Sequence, residues 1–284
     1  MKNIFYIPLL FLLFLTGCNS SDDSANKNET LLAAAQYYNV PYGDDGSQVM
    51  DVYLPEGRND EDTKVIMLIH GGAWISGDKD DFSDILPIIR TNFPNHAVVN
   101  INYRLATSSS PAFPKQIDDL QQALEFLENN DYHISTQYAL LGASAGAHLA
   151  MLYSYKYDAQ HHVKAVIDIV GPADFTDPAY TNHQLYGFAA LNLLGTATPT
   201  PQQIEEVNPI AHVSAQSAPT LMFYGGIDPL IPATQGPNLK AALDAAGVYN
   251  EFNFYAEGGH GDWDEATMAE VAAKTTAFLQ VYLQ

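Results

Sequence analysis

The sequence predicts one α/β domain, with a mostly parallel central sheet, helices on both faces and a small inserted lid. Three observations lead there. Apolar runs of strand length alternate with segments of helical periodicity, as parallel strands joined by helical crossovers require. The run 64–69 (KVIMLI) has no polar alternation, which suits a strand covered on both faces. The chain has 284 residues, 47% of them hydrophobic, enough to bury one large core at a size where a single α/β domain is usual.

The elements follow in order. Residues 36–40 and 48–54 alternate as edge strands do, and Gly43-Asp44-Asp45-Gly46 supplies the turn between them. After strand 64–69, residues 81–92 predict a helix disturbed by Pro87, and 97–103 predicts the next strand. Over 116–128, Ile117, Leu120, Leu124 and Leu127 recur at helical spacing. Strand 138–141 runs into a helix beginning near Ala147, and strand 163–170 comes next. The Pro-rich stretch 171–219 carries one short helix near 184–194 and is the only insertion large enough for a lid. Strand 220–224, a helix over 237–246 stopped by Gly247, strand 251–255 and a final helix over 264–283 complete the domain.

Ahead of this domain, which spans 36–284, residues 1–18 read as a targeting segment. Lys2 gives the positive start, an apolar run follows over 4–15, and Leu15-Thr16-Gly17-Cys18 ends it. About twelve apolar residues are too few for a permanent membrane span. The segment resembles a bacterial lipoprotein signal, in which the cysteine of an L-x-G-C box becomes acylated. That resemblance implies an exported lipoprotein, held to a membrane through Cys18 on the periplasmic face or the cell surface. An ordinary signal peptide with an incidental cysteine is the alternative. Cys18 is the only cysteine, so the domain has neither a disulfide nor thiol chemistry. Residues 19–35 form a tether, polar and acidic over 19–30 and unable to bury enough surface to fold. Twelve basic against 33 acidic residues give a net charge of −21, which repels nucleic acid and anionic lipid headgroups and excludes nucleic acid as a partner.

Four motifs fall where predicted strands end, the edge at which open α/β sheets bind ligands. Gly142-Ala143-Ser144-Ala145-Gly146 stands between a strand and a helix. A turn this tight leaves no room for Cβ atoms at its glycines, and one of its positions takes unusual backbone angles. His70-Gly71-Gly72-Ala73-Trp74 follows strand 64–69 directly. Gly225-Gly226-Ile227-Asp228-Pro229-Leu230-Ile231-Pro232 ends strand 220–224, and Glu257-Gly258-Gly259-His260-Gly261 follows strand 251–255.

Together these residues resemble the α/β-hydrolase fold and, within it, carboxylesterases of the hormone-sensitive-lipase type and compact bacterial feruloyl and acetyl-xylan esterases. G-x-S-x-G matches the nucleophile elbow, H-G-G-x-W the oxyanion loop, and the order Ser144, Asp228, His260 the serine–acid–histidine order of the fold. The likeness continues at Asn102-Tyr103-Arg104-Leu105 and at Phe113-Pro114 with Asp118, and covers nearly everything from Val52 onward. It implies that Ser144 attacks a carbonyl while His260 accepts its proton and Asp228 orients the imidazole. It also implies that the amides of Gly72, Ala73 and Ala145 form the oxyanion hole. Alanine replaces the family's third loop glycine at Ala73, which costs about 1 kcal/mol if φ there is positive. No metal or organic cofactor is implied.

Other residues have structural readings. His70 is expected to brace the loop, His148 to pack inside the elbow helix, and His161 and His162 to lie solvated beside Asp158. Asp174 is the second candidate for the acid, and Asp168 reads as a buried, paired carboxyl. Trp74 either packs on the core or lines the acyl pocket. A short lid implies an open cleft, suited to short-acyl esters or to acetyl and feruloyl esters carried on polysaccharide. A serine peptidase, an arylformamidase and a non-catalytic binding lipoprotein remain as alternatives on the same fold, and the oligomeric state is left open.

Overall fold

A computed structural model describes residues 31–284; the expected signal segment with Cys18, and the tether up to Thr30, lie outside the described residues. Eight strands form one sheet: β1 (Ala35–Pro41), β2 (Val49–Leu54), β3 (Val65–Ile69), β4 (Ala97–Ile101), β5 (Tyr138–Ala143), β6 (Val163–Ile169), β7 (Thr220–Gly225) and β8 (Asn250–Tyr255). Their order is β1-β2-β4-β3-β5-β6-β7-β8. The first two strands are antiparallel to each other, β2 is antiparallel to β4, and every later pair is parallel.

The helices are α1 (Leu86–Asn92), α2 (Lys115–Asn129), α3 (Ala145–Leu152), α4 (Pro178–Thr181), α5 (Tyr186–Leu194), α6 (Pro201–Val207), α7 (Gln235–Ala246) and α8 (Glu265–Tyr282). Alternate strand residues divide between two apolar layers, as period-two side chains must. Val65, Met67 and Ile69 pack with Leu120 of α2, Leu149 of α3 and Leu239 of α7. Ile66 and Leu68 pack on the opposite face with Ile89 of α1 and Phe278 and Leu279 of α8. All five residues of β3 and of β4 are buried, the physical reason for the unbroken apolar run of β3; in β4 the one polar residue, Asn100, donates to the Lys79 carbonyl.

Three expectations change. Pro87 lies in the first turn of α1, where its missing N–H costs nothing, so it opens the helix rather than disturbing it. Residues Lys79–Phe82 form a separate 3-10 turn capped by Asp78. The strand expected over 97–103 stops at Ile101, because Asn102 turns its side chain to the Lys79 amide and to Asp78.

The third change is in the insertion over 171–219, which carries three α-helices and a 3-10 turn (Pro209–His212) where one helix was expected. Asp177 caps α4, and Thr200 with Gln203 forms a reciprocal capping box on α6. The insertion is bolted to the domain by buried polar groups. Gln235 Oε1 accepts from the amides of Ala173 and Asp174, and its Nε2 donates to the Asp174 carbonyl and to Asp177, while Asn208 Oδ1 accepts from the Phe175 amide within the insertion. No helix among the described residues is long and apolar enough to cross a membrane.

Candidate active site

The turn from β5 into α3 is as tight as its glycines require. A Cβ on Gly142 would lie 2.3 Å from the Gly146 carbonyl oxygen, and one on Gly146 would lie 2.0 Å from that of Ile69. Both glycines serve close approach. The unusual backbone angles fall on Ser144 itself, at φ 53° and ψ −118°. Such a conformation costs about 1–3 kcal/mol for a residue with a side chain, and the surrounding parallel strands hold it in place.

His260, on the loop after β8, brings Nε2 to 2.8 Å from Ser144 Oγ. Its Nδ1 lies 2.7 Å from Asp228 Oδ2. The carboxylate only accepts, so Nδ1 carries the ring proton and Nε2 is left to accept from the serine hydroxyl. Asp228 is itself fixed, its Oδ1 accepting from the amides of Leu230 and Ile231 at 2.8 and 3.0 Å. Asp174, the second candidate, is committed elsewhere: it accepts from the Thr176 amide and hydroxyl and from Asn238.

The amides of Gly72, Ala73 and Ala145 have no acceptor among the described residues. Ala73 has φ 49° and Trp74 φ 64°, so the alanine does sit in the left-handed region, at about 1 kcal/mol. The loop is braced from three sides. The Gly72 carbonyl accepts from the amides of Ile75 and Ser76, Gln116 donates to the Trp74 carbonyl, and the Tyr103 hydroxyl donates to the His70 carbonyl. His70 stacks on Tyr103 with ring centroids 4.2 Å apart, and burial lowers its pKa, so it braces the loop as an uncharged ring. Arg104 pairs with the buried Asp119 rather than with the exposed Asp118 named in the motif.

His148 is fully buried, and desolvation lowers its pKa to about 4. As a neutral ring it donates from Nε2 to the Val207 carbonyl at 2.8 Å and accepts at Nδ1 from the Trp74 indole at 3.2 Å. Trp74 is 3% exposed in the core, and one edge also lines a cleft beside Ser144. His161 is exposed; His162 is half-buried and paired with Glu128 at 3.0 Å. Asp168 is buried against Tyr224 and the Gly171 amide, and burial raises its pKa to about 7 against those hydrogen bonds. Among the described residues, no three His, Cys, Asp or Glu side chains are arranged to hold a metal ion.

Two clefts meet at Ser144. One, of about 100 Å³, is lined by Trp74, Ala145, Tyr180, Leu185 and Phe188, so the insertion does form one wall of the site. The other, of about 460 Å³, is lined by Phe82, Val170, His260, Trp263 and Met268. Ala73, Ser144 and Leu230 border both. Sequence reasoning missed Leu230 and Trp263; each is an apolar residue within three positions of Asp228 or His260, and that proximity was the available signal.

Comparison with known proteins agrees with this architecture. The BD-FAE family model matches residues 50–243, from β2 into α7, a span that holds Ser144 and Asp228. Esterase LipC of Mycobacterium tuberculosis is 25% identical over 222 residues, 72% of this chain and 54% of that protein. Kynurenine formamidase of Danio rerio is 30% identical over 141 residues, 48% of this chain and 45% of that protein. The chain thus spans about half the length of the curated relatives it matches. Among solved structures, a truncated carbohydrate esterase from gut microbiota superposes with a TM-score of 0.73 at 23% identity, covering 88% of this chain and 96% of that one. An acetyl ester-xyloside bifunctional hydrolase from Caldicellulosiruptor lactoaceticus gives 0.69 at 16%, covering 89% and 98%. Likeness at these identities is likeness of fold, whereas the family model covers well over half of the sequence: the chain belongs to the BD-FAE family and has the α/β-hydrolase fold.

Proposed function

We propose that the protein is a serine carboxylic-ester hydrolase acting on short-acyl esters. The observation that carries this reading is the unbroken chain of hydrogen bonds from Ser144 Oγ through His260 to Asp228. Ser144 attacks the ester carbonyl as its proton passes to His260 Nε2, and Asp228 stabilises the imidazolium that forms. The amides of Gly72, Ala73 and Ala145 receive the developing oxyanion. His260 then returns the proton to the departing alkoxide, and water admitted on the same side releases the acid from the acyl-enzyme.

Proton delivery assigns the two clefts. The departing oxygen must reach His260, which borders only the larger cleft, so the alcohol lies there and the acyl group enters the smaller one against Trp74 and Phe188. A cleft of about 100 Å³ favours acetyl over feruloyl groups. The names of the structural neighbours, a carbohydrate esterase and an acetyl ester-xyloside hydrolase, support carbohydrate-linked acetyl esters as one substrate class. Export as a lipoprotein through Cys18 completes the proposal, on the strength of Leu15-Thr16-Gly17-Cys18; Cys18→Ser should move the protein from the membrane to the soluble fraction. The central test is p-nitrophenyl acetate and butyrate against palmitate, with fluorophosphonate labelling of Ser144→Ala. Fast turnover of the short esters and loss of label are expected. Equal rates on palmitate, or labelling that persists in the variant, would refute the reading.

A further inference from the structure

The cleft beside His260 does not end at the reacting atoms. A second, apolar groove of about 310 Å³ lies between α1 and α8, and it shares Ile85, Ile169, Met268 and Val271 with that cleft. The two therefore adjoin along these side chains, and the groove lies beyond the cleft as seen from Ser144. Its floor is sheet and helix, its far end is closed by the Asn92–Thr276 hydrogen bond, and Ala269 and Ala272 leave its wall on α8 low. Resting on the ester-hydrolase reading, we propose that this groove is a subsite for the alcohol half of the substrate, and that it takes an uncharged alkyl or aryl-alkyl chain.

Three features carry the choice of occupant. The groove opens on the side of His260, where the leaving oxygen must be, so the group that enters it is the alcohol and not the acyl chain. Its walls offer Ile85, Ile88, Met268 and Val271 and no cation, while Asp84 and Glu265 stand on its border and repel an anionic tail. Its reach is set by α8. From Met268 to Thr275 the helix advances about 10 Å, room for a chain on the order of eight carbons. The enzyme would then be asymmetric, with a short acyl limit on one side of the serine and a long apolar allowance on the other.

Isomeric esters test this with equal overall hydrophobicity. Octyl acetate and ethyl octanoate differ only in which side of the ester carries the chain. We expect kcat/KM to be about a hundredfold or more higher for octyl acetate. We also expect it to rise roughly twofold per methylene along ethyl, butyl, hexyl and octyl acetate, half the effect of full burial because the groove is open on one side. Ala269→Trp, at an exposed position, should lower the octyl acetate value about tenfold by filling the groove and leave p-nitrophenyl acetate unchanged. Ile88→Asp should act in the same direction by charging the wall, and serves if the tryptophan disturbs α8. A flat alcohol series with active p-nitrophenyl acetate hydrolysis overturns the subsite alone, as does faster turnover of ethyl octanoate or of acetylated xylo-oligosaccharide than of octyl acetate. Failure on p-nitrophenyl acetate overturns the ester-hydrolase reading and the subsite with it.

Discussion

Replacing Asp168 by asparagine should change how the stability of the domain depends on pH. Asp168 has no exposed surface, and Tyr224 Oη lies 2.6 Å both from its Oδ2 and from the Gly171 carbonyl oxygen. One phenol proton cannot serve two acceptors, so when Tyr224 donates to Gly171 the proton facing Asp168 comes from the carboxyl. A carboxyl whose pKa is raised from 3.8 to about 7 on folding contributes stability that is fully present below the unfolded value and lost as pH rises through the folded one. Between pH 5 and pH 8 that loss is about 3 kcal/mol. His148 runs the opposite way. Its pKa falls to about 4 on folding, so its contribution is present above 6.5 and declines as pH drops, by about 2 kcal/mol from pH 8 to pH 5. The two nearly cancel in the native protein. Asparagine reproduces the neutral acid's hydrogen bonds without titrating, and so exposes the histidine's share. The difference in Tm between Asp168→Asn and the native protein should move by roughly 6–12 °C between pH 5 and pH 8, with the variant relatively more stable at pH 8. Thermal melts followed by circular dichroism at the two pH values measure it. A difference that stays constant to within a degree would show that Asp168 keeps the same charge throughout.

Two further substitutions probe the site's supports. Trp74→Phe removes the donor to His148 Nδ1 and leaves a fully buried acceptor unpaired; urea unfolding should show a loss of about 1–3 kcal/mol, and a loss below about 0.5 would mean the bond contributes nothing. Asp228→Asn keeps the shape of the loop but frees the imidazole to adopt the wrong tautomer, so kcat for p-nitrophenyl acetate should fall by about 10³- to 10⁴-fold. A fall of less than tenfold would point to another acid.

The site was more legible in the sequence than its surroundings. Gly142 and Gly146 mark a steric requirement local to five residues, Asp228 follows the apolar run of β7, and His260 follows β8, where Phe252 and Phe254 alternate with polar residues. Pro87 was misjudged because a proline reads alike inside a helix and in its first turn until the start is known. α6 carried a visible signal, Thr200-Pro201 with Gln203, that the proline content of the insertion obscured. Nothing local could pair Arg104 with Asp119 over its exposed neighbour Asp118, since only the position of α2 against the loop decides which carboxylate is buried. The Trp74–His148 bond is likewise a product of packing across 74 positions.

The hydrogen bond from Ser144 to His260 closes across 116 positions, and the histidine follows β8, an edge strand and the eighth of the sheet in sequence order. A chain emerging from the ribosome can pair β3, β4, β5 and β6 and form the serine turn well before residue 260 exists. Such an intermediate holds a serine with no base. Because β8 adds to the sheet only through β7, His260 comes beside Ser144 only once both strands are in place, and the proposed ester cleavage has to wait for that edge. On the proposed mechanism, a chain cut before residue 260 would hold Ser144 without its base, so turnover would report that β8 has docked.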